Sequence, residues 1–192
     1  AATRQSVINA ARTEKNGGIT WSWSVSDQKA GKVEESQPPW HTFHPSVLVT
    51  SGNWKDYAET LRKHLLKHAA PTAAVREKTA ELLKNREDTA SKLTALRDYA
   101  AKNIRAAGPS LPALPFSAIS SAETTLADGY GNTTDRAVLL YAMLKSAGFS
   151  PQFILASNTL RADGLQQLFT GYPVDSIFPE VLLQVADKAG EP

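Results

Sequence analysis

Gly129-Tyr130-Gly131-Asn132-Thr133-Thr134-Asp135-Arg136-Ala137 is a glycine-hinged turn that runs straight into the start of a helix. Asn132 has the side chain of an N-cap, and Asp135, three residues on, completes a capping pair. Ala137, Leu140, Met143, Leu144 and Ala147 then recur at helical spacing, and Gly148 supplies the C-terminal stop. Unbonded N–H groups and the helix dipole favour negative charge at such a start, which is where catalytic thiolates are placed. A well-capped helix with no chemistry explains the same residues, and taken alone they favour that simpler reading.

Upstream, residues 51–107 read as helices. Asn53 with Asp56 caps a first one, with Trp54, Tyr57, Leu61, Leu65 and His68 on one face. Pro71 suits the first turn of a second, bearing a weaker stripe of Val75, Leu82 and Leu83. Asp88 starts a third, with Leu93, Leu96, Ala100 and Ile104 aligned. The loop 108–115 holds three prolines, and Ser120 with Glu123 forms a capping box for a short helix through Leu126. Downstream, apolar runs at Gln152–Ala156 and Val181–Val185 read as strands. Residues 1–50 read as strands and turns. Ile19, Trp21, Trp23 and Val25 alternate with small polar residues in a half-buried strand pattern, Pro38-Pro39-Trp40 is a rigid link, and Pro45–Thr50 is a short strand.

Composition narrows the function. Of 192 residues, 42% are hydrophobic and 21% charged, with a net charge of +2. Acids interleave with bases, as in Lys84-Asn85-Arg86-Glu87-Asp88, which marks solvated helix faces and not a nucleic-acid strip. The absence of cysteine excludes disulfides, thiolate metal sites and a cysteine nucleophile. No apolar stretch reaches the ~20 residues of a membrane span. The start without Met and the end just past an apolar run read as cuts in a longer polypeptide, whose remaining domains are the expected partners. His64 and His68 share a helix face, but with no third ligand beside them they read as part of an amphipathic surface. His41 and His44 lie without nearby acids in a proline-flanked link. No metal and no cofactor is expected.

The run Tyr130-Gly131-Asn132-Thr133-Thr134-Asp135-Arg136-Ala137-Val138-Leu139-Leu140, followed by Ala142-Met143-Leu144-Lys145-Ser146-Ala147-Gly148-Phe149, resembles the transglutaminase-like superfamily. Bacterial members read Tyr-Gly-Asp-Cys-Lys-Asp-Lys-Ala, then Leu-Leu and a leucine-rich helix ending in Ala-Gly-Ile. The helix opened by Trp54, the helix over 92–104 and the proline-bearing loop fit that layout. Ile19–Val25, followed by Glu34-Glu35 and Pro38-Pro39, is similar to the end of a β-rich domain that precedes such enzymes in envelope proteins.

The resemblance implies an α+β fold, papain-like in its core, with helices packed on an antiparallel sheet. Residues 1–50 would be the C-terminal part of a preceding β-rich domain, and 51–192 a transglutaminase-like domain cut short at its C-terminus. It also implies a Cys-His-Asp mechanism whose nucleophile position falls on Thr133, with Asn132 in place of the preceding acid. The family's Phe-Asn-His-Val run aligns with Phe178-Pro179-Glu180-Val181, so Glu180 holds the histidine position. The orienting acid would lie past Pro192. A threonine hydroxyl needs a base, and a carboxylate with a pKa near 4 is a poor one.

The expectation is a catalytically inactive domain, a binding or scaffold module of a larger bacterial envelope protein, periplasmic or extracellular. Its cleft, with Tyr130, Asn132, Asp135 and Phe178 as candidates, would take a peptide or polymer segment. Loop 158–177, with Arg161, Asp163, Phe169 and Tyr172, would form one wall. The alternative is an active acyl-transferase or amide hydrolase using a non-cysteine nucleophile.

Overall fold

The computed structural model describes residues 10–24, 26–27, 35, 37, 52–157, 173 and 178–186. The chain divides into two units, Ala1–Val49 and Thr50–Pro192. The expected strand at 45–50, the Pro38-Pro39-Trp40 link and, apart from Pro173, the wall 158–177 lie outside the described residues.

In the first unit, β1 (Ala11–Lys15) and β2 (Gly18–Ser22) form an antiparallel hairpin. Asn16 and Gly17 both take positive φ, 52° and 75°, which is the two-residue turn whose twist matches a hairpin. Every residue of both strands is exposed, Ile19 and Trp21 included, so the half-buried strand expected over 19–25 is corrected: the strand is shorter and uncovered. Alternation buries a face only where a second layer lies on it, and no described element covers this one. Arg12 instead spans its own face, 3.0 Å from Glu14 and 5.9 Å from the Trp21 ring centre.

The second unit is built around one helix. α1 (Trp54–His68) opens at Asn53, whose side chain accepts the Asp56 N–H while its amide donates to the Asp56 carboxylate. α2 (Ala73–Leu83) has Thr72 at its N-cap position without a side-chain cap bond, so Pro71 sits just outside the helix and not in its first turn. α3 (Thr89–Asp98) starts at the Asp88 cap, but it does not run on to Ile104. Residues Tyr99–Asn103 widen into a π turn, and Ile104 is extended. Arg136 explains the break. Its guanidinium donates to the Ala100 and Ala101 carbonyls at 2.9 and 2.6 Å, filling acceptors that a regular turn would have used internally.

β3 (Arg105–Ala106) follows, and two 3-10 turns, Leu111–Ala113 and Phe116–Ala118, take up the proline-rich loop. α4 (Ala122–Asp128) is capped by Ser121, one residue later than the sequence pattern suggests. β4 (Tyr130–Gly131) pairs parallel with β3. α5 (Thr133–Ser146) comes next, then β5 (Pro151–Ala156) and β6 (Glu180–Val185), paired antiparallel from Pro151↔Val185 to Ala156↔Glu180. The fold is α+β, with helices and small sheets in one core.

α5 lies at the centre, packed by α1, α2, α3, α4, β5 and β6. Its buried set is therefore broader than one stripe: Val138, Leu139 and Ala142 are fully buried, whereas Leu140 and Ala147 are only partly so. The core around it includes Leu61, Leu65, Val75, Leu96, Ile104 and Met143. An aromatic file runs along α1. Phe178 meets Trp54 edge-on at 5.0 Å, Trp54 meets Tyr57 at 5.6 Å, and Phe116 lies 5.7 Å from both Tyr57 and His64. Such edge-to-face contacts fasten the start of α1 to the approach to β6.

Truncating Leu139, which is fully buried, to alanine should lower stability by about 2–5 kcal/mol. The same change at Leu182, 52% exposed, should cost less than about 0.5 kcal/mol, both read from urea denaturation midpoints at constant m-value.

Candidate functional site

The start of α5 is assembled by hydrogen bonds that only part of the sequence pattern reveals. Gly129 ends α4 in the left-handed region at φ 67°, where glycine carries no steric penalty. The chain then passes along β3: Arg105 N–H donates to Gly129 O and Ala107 N–H to Gly131 O, both at 2.9 Å. Asn132 caps α5 by accepting the Asp135 N–H at 2.9 Å, and Asp135 returns the bond by accepting the Asn132 N–H at 3.1 Å. The second Asp135 oxygen accepts the Ser120 N–H at 2.8 Å. Beside it, Ser121 caps α4 by accepting the Thr124 N–H at 3.0 Å.

Gly131 has no choice of residue. A Cβ there would stand 2.8 Å from the Asp135 Cβ and 3.2 Å from the Thr125 methyl. The two threonines that open α5 diverge. Thr134 is 1% exposed and turned into the core, while Thr133, at the first helical position, is exposed. Of the two, Thr133 is thus the one that solvent can reach, beside the positive end of the helix dipole.

The remaining expected residues are dispersed. Asn132 and Asp135 are buried, 7% and 5% exposed, and their polar atoms serve the turn itself. Tyr130 is exposed. Phe178 lies against Trp54, and Glu180 is half-buried as the first residue of β6. His41 and His44 lie outside the described residues. His64 sits against Phe116, and no cluster of three metal-ligating side chains occurs among the described residues.

Residues 76–171 match the transglutaminase-like superfamily, half of the chain. The chain belongs to this superfamily. A candidate protease of Parabacteroides distasonis ATCC 8503, known from a crystal structure, shares the fold at a TM-score of 0.69 with 18% identity. The similarity covers 96% of this chain and 35% of that one, so the present chain spans about a third of the length of that protein. No curated protein matches the sequence. Within the superfamily's frame, the Gly-x-Gly-Asn turn and Asp135 are accounted for as architecture, and Thr133 as the exposed residue that the architecture presents.

Two residues have little or no signature in the sequence. Ser120 contributes its backbone N–H, for which no side-chain pattern exists. Arg136 contributes a guanidinium to carbonyls 35 and 36 residues away. Its only signal is a cation in the first turn of a helix, where the dipole does not favour one.

Gly131→Ala should destabilise the domain by about 1–3 kcal/mol, since the added carbon meets atoms that are themselves buried. The charge state of His68 should make stability depend on pH. Burial pushes its pKa below 6.5, Lys67 and His64 add to this, and Asp135 opposes it. The unfolded chain therefore binds the proton more readily than the folded one on the acid side of that value. This contribution is intact above it and is lost as pH falls from 7 towards 5. The urea midpoint should drop over this range, and His68→Gln should flatten the drop; an unchanged slope would show that His68 does not carry it.

Proposed function

We propose that this chain is a transglutaminase-like domain without acyl-transfer chemistry, serving as a binding or scaffold module of a larger bacterial envelope protein. The observation that carries the reading is the start of α5. A complete capping box and turn present an exposed Thr133 at the nucleophile position, in a chain with no cysteine. A hydroxyl there gains little from the helix dipole, because its pKa lies far above that of a thiol and a base must remove its proton. Glu180 at the histidine position offers only a weakly basic carboxylate.

Tyr130, exposed beside Thr133, with Phe178 nearer β6, would furnish the contacts of a cleft that holds a peptide or polymer segment. The greater length of the Parabacteroides protein agrees with a domain working inside a larger polypeptide. An envelope location rests on the similarity of residues 19–39 to the end of a β-rich preceding domain.

The wild-type chain and Thr133→Ala should release no amine or peptide from casein and glutamine-containing peptides above the buffer rate. A wild-type turnover that disappears in Thr133→Ala would establish the hydrolase instead. In pull-downs on isolated peptidoglycan and on immobilised peptides, retention that falls several-fold in Tyr130→Ala supports the binding module. No retention on any of them leaves the scaffold role alone.

A further inference from the structure

α1 and β5 leave a groove of about 550 Å³ between them, with Tyr141 of α5 among its lining residues. That volume lies within the range of ligand-binding clefts. None of Tyr130, Asn132, Thr133, Phe178 or Glu180 lines it, so a role for the groove does not depend on the role of Thr133.

The strand side decides what the groove is. Pro151, Gln152, Phe153 and Leu155 line it. Successive side chains of a strand point to opposite faces, so Pro151, Phe153 and Leu155 share one face and Gln152 belongs to the other, and a groove touching both borders the strand's edge. No residue of β6 lines it, which makes this the edge away from β6. No described strand pairs with that edge. Strands with an open edge are ordinarily protected by charged residues, and Pro151-Gln152-Phe153-Ile154-Leu155-Ala156 carries none. Pro151 blunts only the first position.

The helix side supplies the rest. Ala58, Leu61 and Leu65 form one stripe, and Arg62 stands beside them. Arg62 is exposed and has no ion-pair partner among the described residues. From position 58 to 66 the helix advances about 12 Å, the length of about four extended residues. An open strand edge facing an apolar helix wall is the geometry of strand addition, in which main-chain bonds give affinity and alternate side chains fill the wall.

We infer that this groove takes an extended partner peptide as an added strand on β5. Its alternate apolar side chains pack between α1 and Phe153, and one carboxylate pairs with Arg62. Side chains on its other face continue the exposed apolar pair Ile154 and Leu182, which are opposite each other in the β5–β6 register.

The test uses the whole 192-residue chain. The probe is a fluorescein-labelled heptapeptide alternating valine and threonine, with one central glutamate. Fluorescence anisotropy should show saturable binding, and amide hydrogen exchange should slow in β5 when the peptide is present. Arg62→Glu should weaken binding by about ten-fold, as attraction becomes repulsion at one charge pair. Ala58→Trp, at an exposed helix position facing the groove, should abolish it, with circular dichroism confirming that both variants fold. A peptide N-methylated at alternate amides should fail to bind. The inference is overturned by absence of saturation up to about 1 mM, or by undiminished binding to Ala58→Trp. Equal binding of the N-methylated peptide, or its displacement by decanoate alone, would overturn it too, assigning the groove to small amphiphiles.

Discussion

One buried carboxylate holds this domain's central turn together. Asp135 is 5% exposed, and its two oxygens accept N–H groups from Ser120 and from Asn132. These bonds tie the loop before α4 to the start of α5, across fifteen residues of chain. A buried carboxylate is tolerable only when hydrogen-bonded, and removing its acceptors would strand two backbone donors in the interior. Its backbone also sets what can precede it: Gly131 must lack a Cβ because Asp135 occupies that space. The carboxylate's field extends as far as His68 on α1, where it works against the effect of burial.

The same turn is fixed from a second direction. Arg136, the next residue, reaches the carbonyls of the π turn that ends α3. The chain leaves that turn through Ile104 and enters β3, and the N–H groups of Arg105 and of Ala107 just after it bond the carbonyls of Gly129 and Gly131. Adjacent residues thus bind opposite flanks of one structure, the acid towards α4 and the base towards α3. None of these bonds involves the side chain at position 133. The architecture that would present a nucleophile is therefore independent of whether one is present, and a substitution there costs the fold little. A superfamily fold without its thiol is physically reasonable for that reason.

Much of this is legible in the sequence because it is local. Asn53 and Asp88 announce their helices by side chains that bond three residues ahead, and the short apolar runs at 152–156 and 181–185 form the paired strands β5 and β6. The features that are not legible depend on contacts across the fold. Ser120 and Ser121 look alike as caps, and only the fold shows that the second caps α4 while the first gives its N–H to Asp135. Leu139 and Leu140 are equivalent until α5 is seen to be surrounded, when a single stripe no longer suffices. β1, Ala11-Arg12-Thr13-Glu14-Lys15, has no apolar alternation at all, and only the Asn16-Gly17 turn marks it. The groove is the extreme case, since α1 and β5 are separated by more than eighty residues and nothing in either segment points to the other.

The central helix also keeps the turn at one end apart from the surfaces elsewhere on it. Thr133 and Tyr141 are eight residues apart on α5, about 12 Å along its axis. The first stands at the turn fixed by Asp135 and Arg136; the second stacks on Phe153 at 4.4 Å and helps line the α1–β5 groove. The turn depends on polar bonds of fixed geometry, whereas the groove depends on apolar packing and an open strand edge, so changes at one place few constraints on the other. Fully buried Val138 and Leu139, between them, fix the helix in the core. The turn at Thr133 and the α1–β5 groove are thus built from different residues of one helix.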